Sequence, residues 1–288
     1  MKKISFTVLL VFINALLILF LALSFIPSAK RNRPESKQTA LLNANHISSI
    51  KSIKIEGFEH GERQYVVLSK HGSVWEGYDS LTGSRWPADL QAVEKCIENA
   101  ASIVNVRTVA SKSSSWKSFG VDDESASKIS VFSEDGSVLT SLCFGKSDGL
   151  TRRISFRTSR DETVYETDYS LSPYLTASSS FWADPFIYPQ SLTGRSRKDS
   201  ESFLRHGLLT EMNAEDLDFL WQGTKEFENG SEIRLKIYPL EENFLVVPEF
   251  RAGEDFTEEE KKSLEEMNYK YTVSKWTYDA FVQEFDGK

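Results

Sequence analysis

Two kinds of hydrophobic patterning divide the chain. From Ile4 to Ile26 apolar residues run almost unbroken, with only Ser5, Thr7, Asn14 and Ser24 polar and no charge at all. A helix over this run would be about 34 Å long, against a hydrocarbon core of about 30 Å. It has no amphipathic period, which suits a helix whose backbone bonds internally and whose side chains face lipid. The run predicts a transmembrane anchor, with Ile4, Leu10, Leu17 and Ile26 marking its length. Cleavage as a signal peptide after Ser24 or Ala29 stays open, although such apolar regions usually span about 7–15 residues.

Beyond a short polar linker at 32–38, the pattern shortens to the periods of strands and helices. Ile50, Ile53 and Ile55 mark a first strand. Gln64–Lys70 and Val74–Glu76 flank His71-Gly72-Ser73 and predict a hairpin. Leu90, Val93, Ile97, Ala100 and Val104 recur at spacings of three and four, opposite Gln91, Glu94, Lys95 and Glu98, so the main amphipathic helix is expected over 87–104, with Pro87 in its first turn. A strand at 105–110, one helical turn at 116–120 stopped by Gly120, hairpins at 128–144 and 153–166, and a helical segment from Leu171 toward Trp182 follow. After a Ser- and Arg-rich stretch at 190–202, a helix at 214–221, a hairpin at 232–250, a capping box of Thr257 with Glu260, a strand at 269–273 and a last helix at 277–285 are expected. Hairpin connections with few helices define an α+β class with antiparallel sheets. The division expected is 1–33 as cytoplasmic tip and anchor, 34–189 as a β-rich α+β domain, and 190–288 as a smaller C-terminal α+β subdomain.

Charge sharpens this division. The 288 residues carry 34 basic and 42 acidic side chains, a net of -8, which argues against a nucleic-acid partner. Residues 1–33 hold five of the basic residues and no acidic one, so the remainder is a distinctly acidic body. Lys2 and Lys3 favour an N-terminus inside the cell, whereas Lys30, Arg31, Arg33 and Lys37 favour the reverse. Long downstream domains translocate largely regardless of flanking charge. The body is therefore expected on the extracytoplasmic side of the cytoplasmic membrane, with the lipid bilayer as partner through residues 4–26.

Candidate chemistry is sparse. Phe144-Gly145-Lys146-Ser147 ends like a phosphate loop, but Thr140 stands where the loop needs its first glycine, so a turn ending a strand is expected. No G-x-S-x-G elbow occurs. His46, His60, His71 and His206 are too far apart in sequence to grip a metal locally. The trios Asp122-Asp123-Glu124 and Glu258-Glu259-Glu260 read as capping or solvated charge. Cys96 and Cys143 could be bridged or could be buried thiols. No catalytic, cofactor or metal residue is assigned. The aromatic run Phe181 to Pro189 is either a core edge or a partner patch of Phe181, Trp182, Phe186 and Tyr188.

Several of these pieces, taken in order, resemble a bacterial domain-of-unknown-function family whose members are often encoded beside ABC-type transporters of the gliding-motility kind. They are Val74-Trp75-Glu76, Trp86-Pro87-Ala88-Asp89-Leu90, Phe119-Gly120-Val121, Cys143-Phe144-Gly145-Lys146, Val164-Tyr165 and Trp182, over roughly residues 50–188. The family usually has Tyr-Gly-Leu where this chain has Phe119-Gly120-Val121, and a basic-acidic pair where it has Ala183-Asp184. The resemblance implies a membrane anchor and a role beside a transporter complex, and it carries no catalytic residues. The expected function is thus an anchored, extracytoplasmic, non-enzymatic accessory protein whose partners are transporter or envelope membrane proteins. An anchored hydrolase of envelope polymers and a small-ligand or peptide binding module are the alternatives.

Overall fold

Alternating segments joined by tight turns pair with their neighbours, and the body consists mainly of two antiparallel sheets. The computed structural model describes residues 36–59, 61–148, 150, 152–168, 170–187 and 207–285, together with Leu17. Strands β1 (Ser36–Ala40), β2 (Ile50–Glu59), β3 (Glu62–His71), β4 (Val74–Asp79), β5 (Arg85–Pro87), β6 (Ile103–Ala110), β7 (Ser127–Ser133), β8 (Val138–Asp148), β9 (Arg153–Thr158) and β10 (Val164–Asp168) form one sheet. Its order is β1-β6-β10-β9-β8-β7-β2-β3-β4-β5. A second sheet, β11-β15-β14-β13-β12, is built from β11 (Leu208–Leu209), β12 (Trp221–Glu226), β13 (Glu232–Pro239), β14 (Phe244–Arg251) and β15 (Tyr271–Val273). The fold is α+β, with a large antiparallel sheet and few helices.

Helix α1 (Leu90–Ala101) buries Val93, Cys96 and Ala100 on one face. Asp89 caps its N-terminus by accepting hydrogen bonds from the backbone N–H groups of Gln91 and Ala92. At the other end the N–H groups of Leu41 and Leu42 donate to the Ala100 carbonyl at 3.0 and 2.8 Å. The helix is shorter than its apolar period suggests. Pro87 closes strand β5, and Val104 belongs to β6, because strand pairing claims both ends.

A short helix α2 (Trp116–Phe119) ends on Gly120, whose φ of 65° is the left-handed conformation that glycine adopts without strain. This turn lies so close to β8 that a Cβ on Gly145 would stand 1.9 Å from the Phe119 carbonyl oxygen. Gly145 is therefore a close-approach residue inside a strand. The expected turn at Phe144–Ser147 is corrected: β8 continues to Asp148 through a register shift between Phe144 and Ser147. Three further expectations change. Residues 36–38, read as the end of a linker, belong to strand β1, which pairs with β6 from Ser36 opposite Arg107 to Ala40 opposite Ile103. Residues 214–217 form a turn and 218–220 run irregularly instead of continuing a helix, leaving Phe219 and Leu220 exposed, and Trp221 opens β12. The segment after Leu171 is a 3-10 turn (Ser172–Tyr174) and one helical turn, α3 (Ser179–Trp182). Helices α4 (Glu258–Glu266) and α5 (Lys275–Phe285) accompany the second sheet, α4 behind the expected capping box.

Residues 36–288 cluster as one compact unit, and residues 1–35 as another. Within the larger unit one hydrophobic core joins Ile53, Ile55, Leu68, Trp86 and Phe144 to Leu235, Ile237, Tyr271 and Phe281 of the second half. The expected boundary near 190 falls within 188–206, outside the described residues. So do Ile4, Leu10 and Ile26 of the expected anchor, while Leu17 is helical and exposed. Among the described residues, no helix is long and apolar enough to cross a membrane.

Candidate functional site

Three separated sequence pieces meet at the start of α1. The N–H of Ala88 donates to the Trp75 carbonyl at 2.9 Å. Asp89 N–H donates to the Trp182 carbonyl at 2.7 Å, and Asp184 N–H to the Pro87 carbonyl at 2.8 Å, around an Ala88–Ala183 bridge. Trp182 is fully buried, and its indole N–H donates to the Thr176 carbonyl at 2.9 Å. A buried, hydrogen-bonded Trp182 is a core residue and offers no surface to a partner. Phe181 packs edge-on against it at 5.0 Å and remains 38% exposed, Phe186 is half-buried, and Tyr188 lies outside the described residues.

A polar seam joins β3–β5 to the second half of the body. Glu76, buried on β4, pairs with the guanidinium of Arg85 and accepts a hydrogen bond from the Ser263 hydroxyl at 2.7 Å. Asn268 clasps Arg85 through its side-chain oxygen, at 2.6 Å from the Arg85 N–H, and through its own N–H, at 3.0 Å from the Arg85 carbonyl. The acidic trio on α4 completes the seam. Glu259 lies 2.5 Å from Lys51 Nζ and 3.1 Å from His71 Nδ1, which together hold its carboxyl below the usual range. Nothing in the local sequence of Glu76 marks it as buried and paired. The only hint is the run from Val74 to Asp79, which has no clean alternation.

Glu260 combines two duties. Its Oε2 accepts the Thr257 N–H and hydroxyl at 2.8 and 2.9 Å, while its Oε1 accepts the Ser73 N–H and hydroxyl, both at 2.7 Å. Burial acts to raise its pKa, but the four hydrogen bonds outweigh it and hold the carboxyl at about 2. A carboxylate with a depressed folded-state pKa stabilises the fold above its unfolded value, and that contribution is lost as pH falls toward the folded value. Urea unfolding is therefore expected to show falling stability from about pH 4.5 down to about pH 2, and Glu260→Gln should flatten that part of the profile. An unchanged slope in the variant would exclude this role.

The remaining candidates serve the fold. Buried Arg157 donates from Nε to the Val121 carbonyl at 2.7 Å, pairs with Asp123, and lies 3.9 Å over the Trp116 ring. Asp122 accepts the N–H groups of Glu124 and Ser125 in a turn. Cys96 and Cys143 are free and buried, so the open question of a bridge resolves to two thiols. Burial pushes the Cys96 thiol up to about 12, far from a reactive thiolate. His46 sits in a 3-10 turn (Ala44–Ser49), whereas His60 and His206 lie outside the described residues. Among the described residues, no group of His, Cys, Asp and Glu is placed to hold a metal.

Two clefts open on the body. One, of about 500 Å³, is acidic and lies at the β12–β13 turn, between Glu226, Glu228 and Glu232 on one side and Arg251, Glu254 and Asp255 on the other. The other, of about 270 Å³, lies between the 3-10 turn, β3–β4 and α1, and is lined by Ile47, Ile50, Lys70, Trp75, Glu94, Ile97 and Glu98.

Residues 80–198 match a domain of unknown function, DUF4340. The matched stretch contains the Trp86–Leu90, Phe119–Val121, Cys143–Lys146, Val164–Tyr165 and Trp182 pieces, begins after Val74–Glu76, and covers less than half of the chain. No curated protein matches the chain.

Proposed function

We propose that this protein is a membrane-anchored, extracytoplasmic, non-enzymatic accessory protein that works beside an ABC-type transporter. The observation that carries this reading is the uncharged 4–26 run placed directly before a folded acidic body. That run is long enough to span a bilayer as a helix. The body supports it: Glu76, Glu259, Glu260, Asp122 and Arg157 are each engaged in holding structure together. Both of these clefts are lined by carboxylates, cations and apolar groups, without a serine, histidine or cysteine. The resemblance to transporter-linked proteins supplies the partner class.

Purification at native expression in mild detergent is expected to recover transporter-type membrane subunits in comparable amounts. The protein should also stay in the membrane pellet after alkaline extraction, with its body digested by protease added from the extracytoplasmic side. Recovery of the protein alone, or protection of the body from that protease, would overturn the proposal.

A further inference from the structure

We infer that the smaller cleft beside α1 is an anchor pocket for a basic segment of a partner protein. That segment would insert one large apolar side chain and place a Lys or Arg against Glu94 and Glu98. The inference rests on the accessory reading above and names the surface that serves it.

The cleft has an apolar interior and a charged rim. Ile47, Ile97 and Trp75 form its apolar walls, with Ile47 itself 40% exposed. Its volume of about 270 Å³ suits one large side chain better than a drug-sized ligand, whose pockets run from about 300 to 1,000 Å³. Glu94 and Glu98 stand one helical turn apart on the exposed flank of α1, and Lys70 stands on the β3 side. None of the three side chains has a hydrogen bond or ion pair among the described residues.

Local helix physics opposes this arrangement. Carboxylates at i and i+4 repel each other. Glu98 also lies in the last turn of α1, where the helix dipole disfavours negative charge and no basic residue compensates. Elsewhere on the body, Glu76, Glu259 and Glu260 are paired or hydrogen-bonded. An acidic pair that makes no ion pair, on the lip of an apolar cleft, is complementary to a cation next to an apolar anchor. In this geometry Lys70 reaches the backbone carbonyls of the docked segment from the opposite rim.

The test uses the full chain in detergent micelles and two fluorescein-labelled dodecapeptides, each with one central Leu, in a Lys/Ser or a Glu/Ser background. Fluorescence anisotropy should show the Lys peptide binding at least tenfold more tightly than the Glu peptide. Glu94→Lys combined with Glu98→Lys, both exposed positions, should remove that preference. Ile47→Ser should weaken the Lys peptide severalfold, and Glu226→Lys with Glu228→Lys, in the other cleft, should change it less than twofold. Equal binding of both peptides, or an equal loss from the Glu226 and Glu228 reversal, overturns the pocket in favour of diffuse acidic attraction. A dimer of the chain that the Glu94 and Glu98 reversal dissociates also overturns it, because the occupant is then a second copy. Co-purification of membrane subunits that survives this reversal leaves the accessory reading standing and refutes this surface. Absence of co-purified subunits from the unaltered chain refutes the accessory reading, whichever way the peptides behave.

Discussion

Trp182→Ala should cost about 3–5 kcal/mol of folding stability, the usual range for emptying a large aromatic site in a core. The indole is fully buried against Phe181 and Tyr174, and its N–H donates to the Thr176 carbonyl. Its backbone also holds the start of α1 through Asp89. Phe181→Ser, at the exposed edge of the same cluster, should stay within about 0.5–1 kcal/mol. Urea unfolding of the full chain in detergent, followed by far-UV circular dichroism, measures both. A Trp182→Ala protein as stable as the unaltered chain would favour the partner-patch alternative for the aromatic run.

The second large effect is at the polar seam. Arg85→Ala should cost about 3 kcal/mol, because it strips the buried carboxylate of Glu76 of its guanidinium and leaves only the His71 ring, 4.0 Å away, beside it. Arg85 itself is 38% exposed, so water tempers the loss and places it at the lower end of the range for broken buried pairs. Adding Glu76→Gln should recover most of the stability, since the neutral amide is far cheaper to bury and can still accept from Ser263. The double variant is the informative one. If it is as unstable as Arg85→Ala alone, the stranded charge is not the cause, and the packing of Arg85 over Tyr78 has to be considered in its place.

Local signals were the legible ones. The apolar stripe of α1, the Thr257–Glu260 capping box, the stop at Gly120 and the hairpins expected at 128–144 and 232–250 all depend on residues within a few positions of one another. What escaped depends on distant partners. Strand β1 is polar and short, and only β6, far along the chain, makes it a strand. Leu217, Phe219 and Leu220 mimic a helical face, but Phe219 and Leu220 stay exposed and the segment makes a turn and then runs irregularly. The same limit applies to the candidate site. Glu94 and Glu98 read correctly as the polar face of α1, yet only the approach of Ile47 and Trp75 turns that face into the rim of a cleft. The aromatic run around Trp182 left a core edge and a docking patch both open, because aromatic density alone cannot distinguish them.

Strand β1 has a mechanical consequence. It is an edge strand, held by β6 on one side alone, and among the described residues it is the first element of the body. Tension transmitted along the chain to Ser36 would load that strand before anything else. Peeling it from β6 would release about 17 Å of extended chain at roughly 3.4 Å per residue. The peeling would stop at Leu42, which is buried and tied to the end of α1. The edge strand would thus act as a short extensible leader that absorbs strain while the core stays folded.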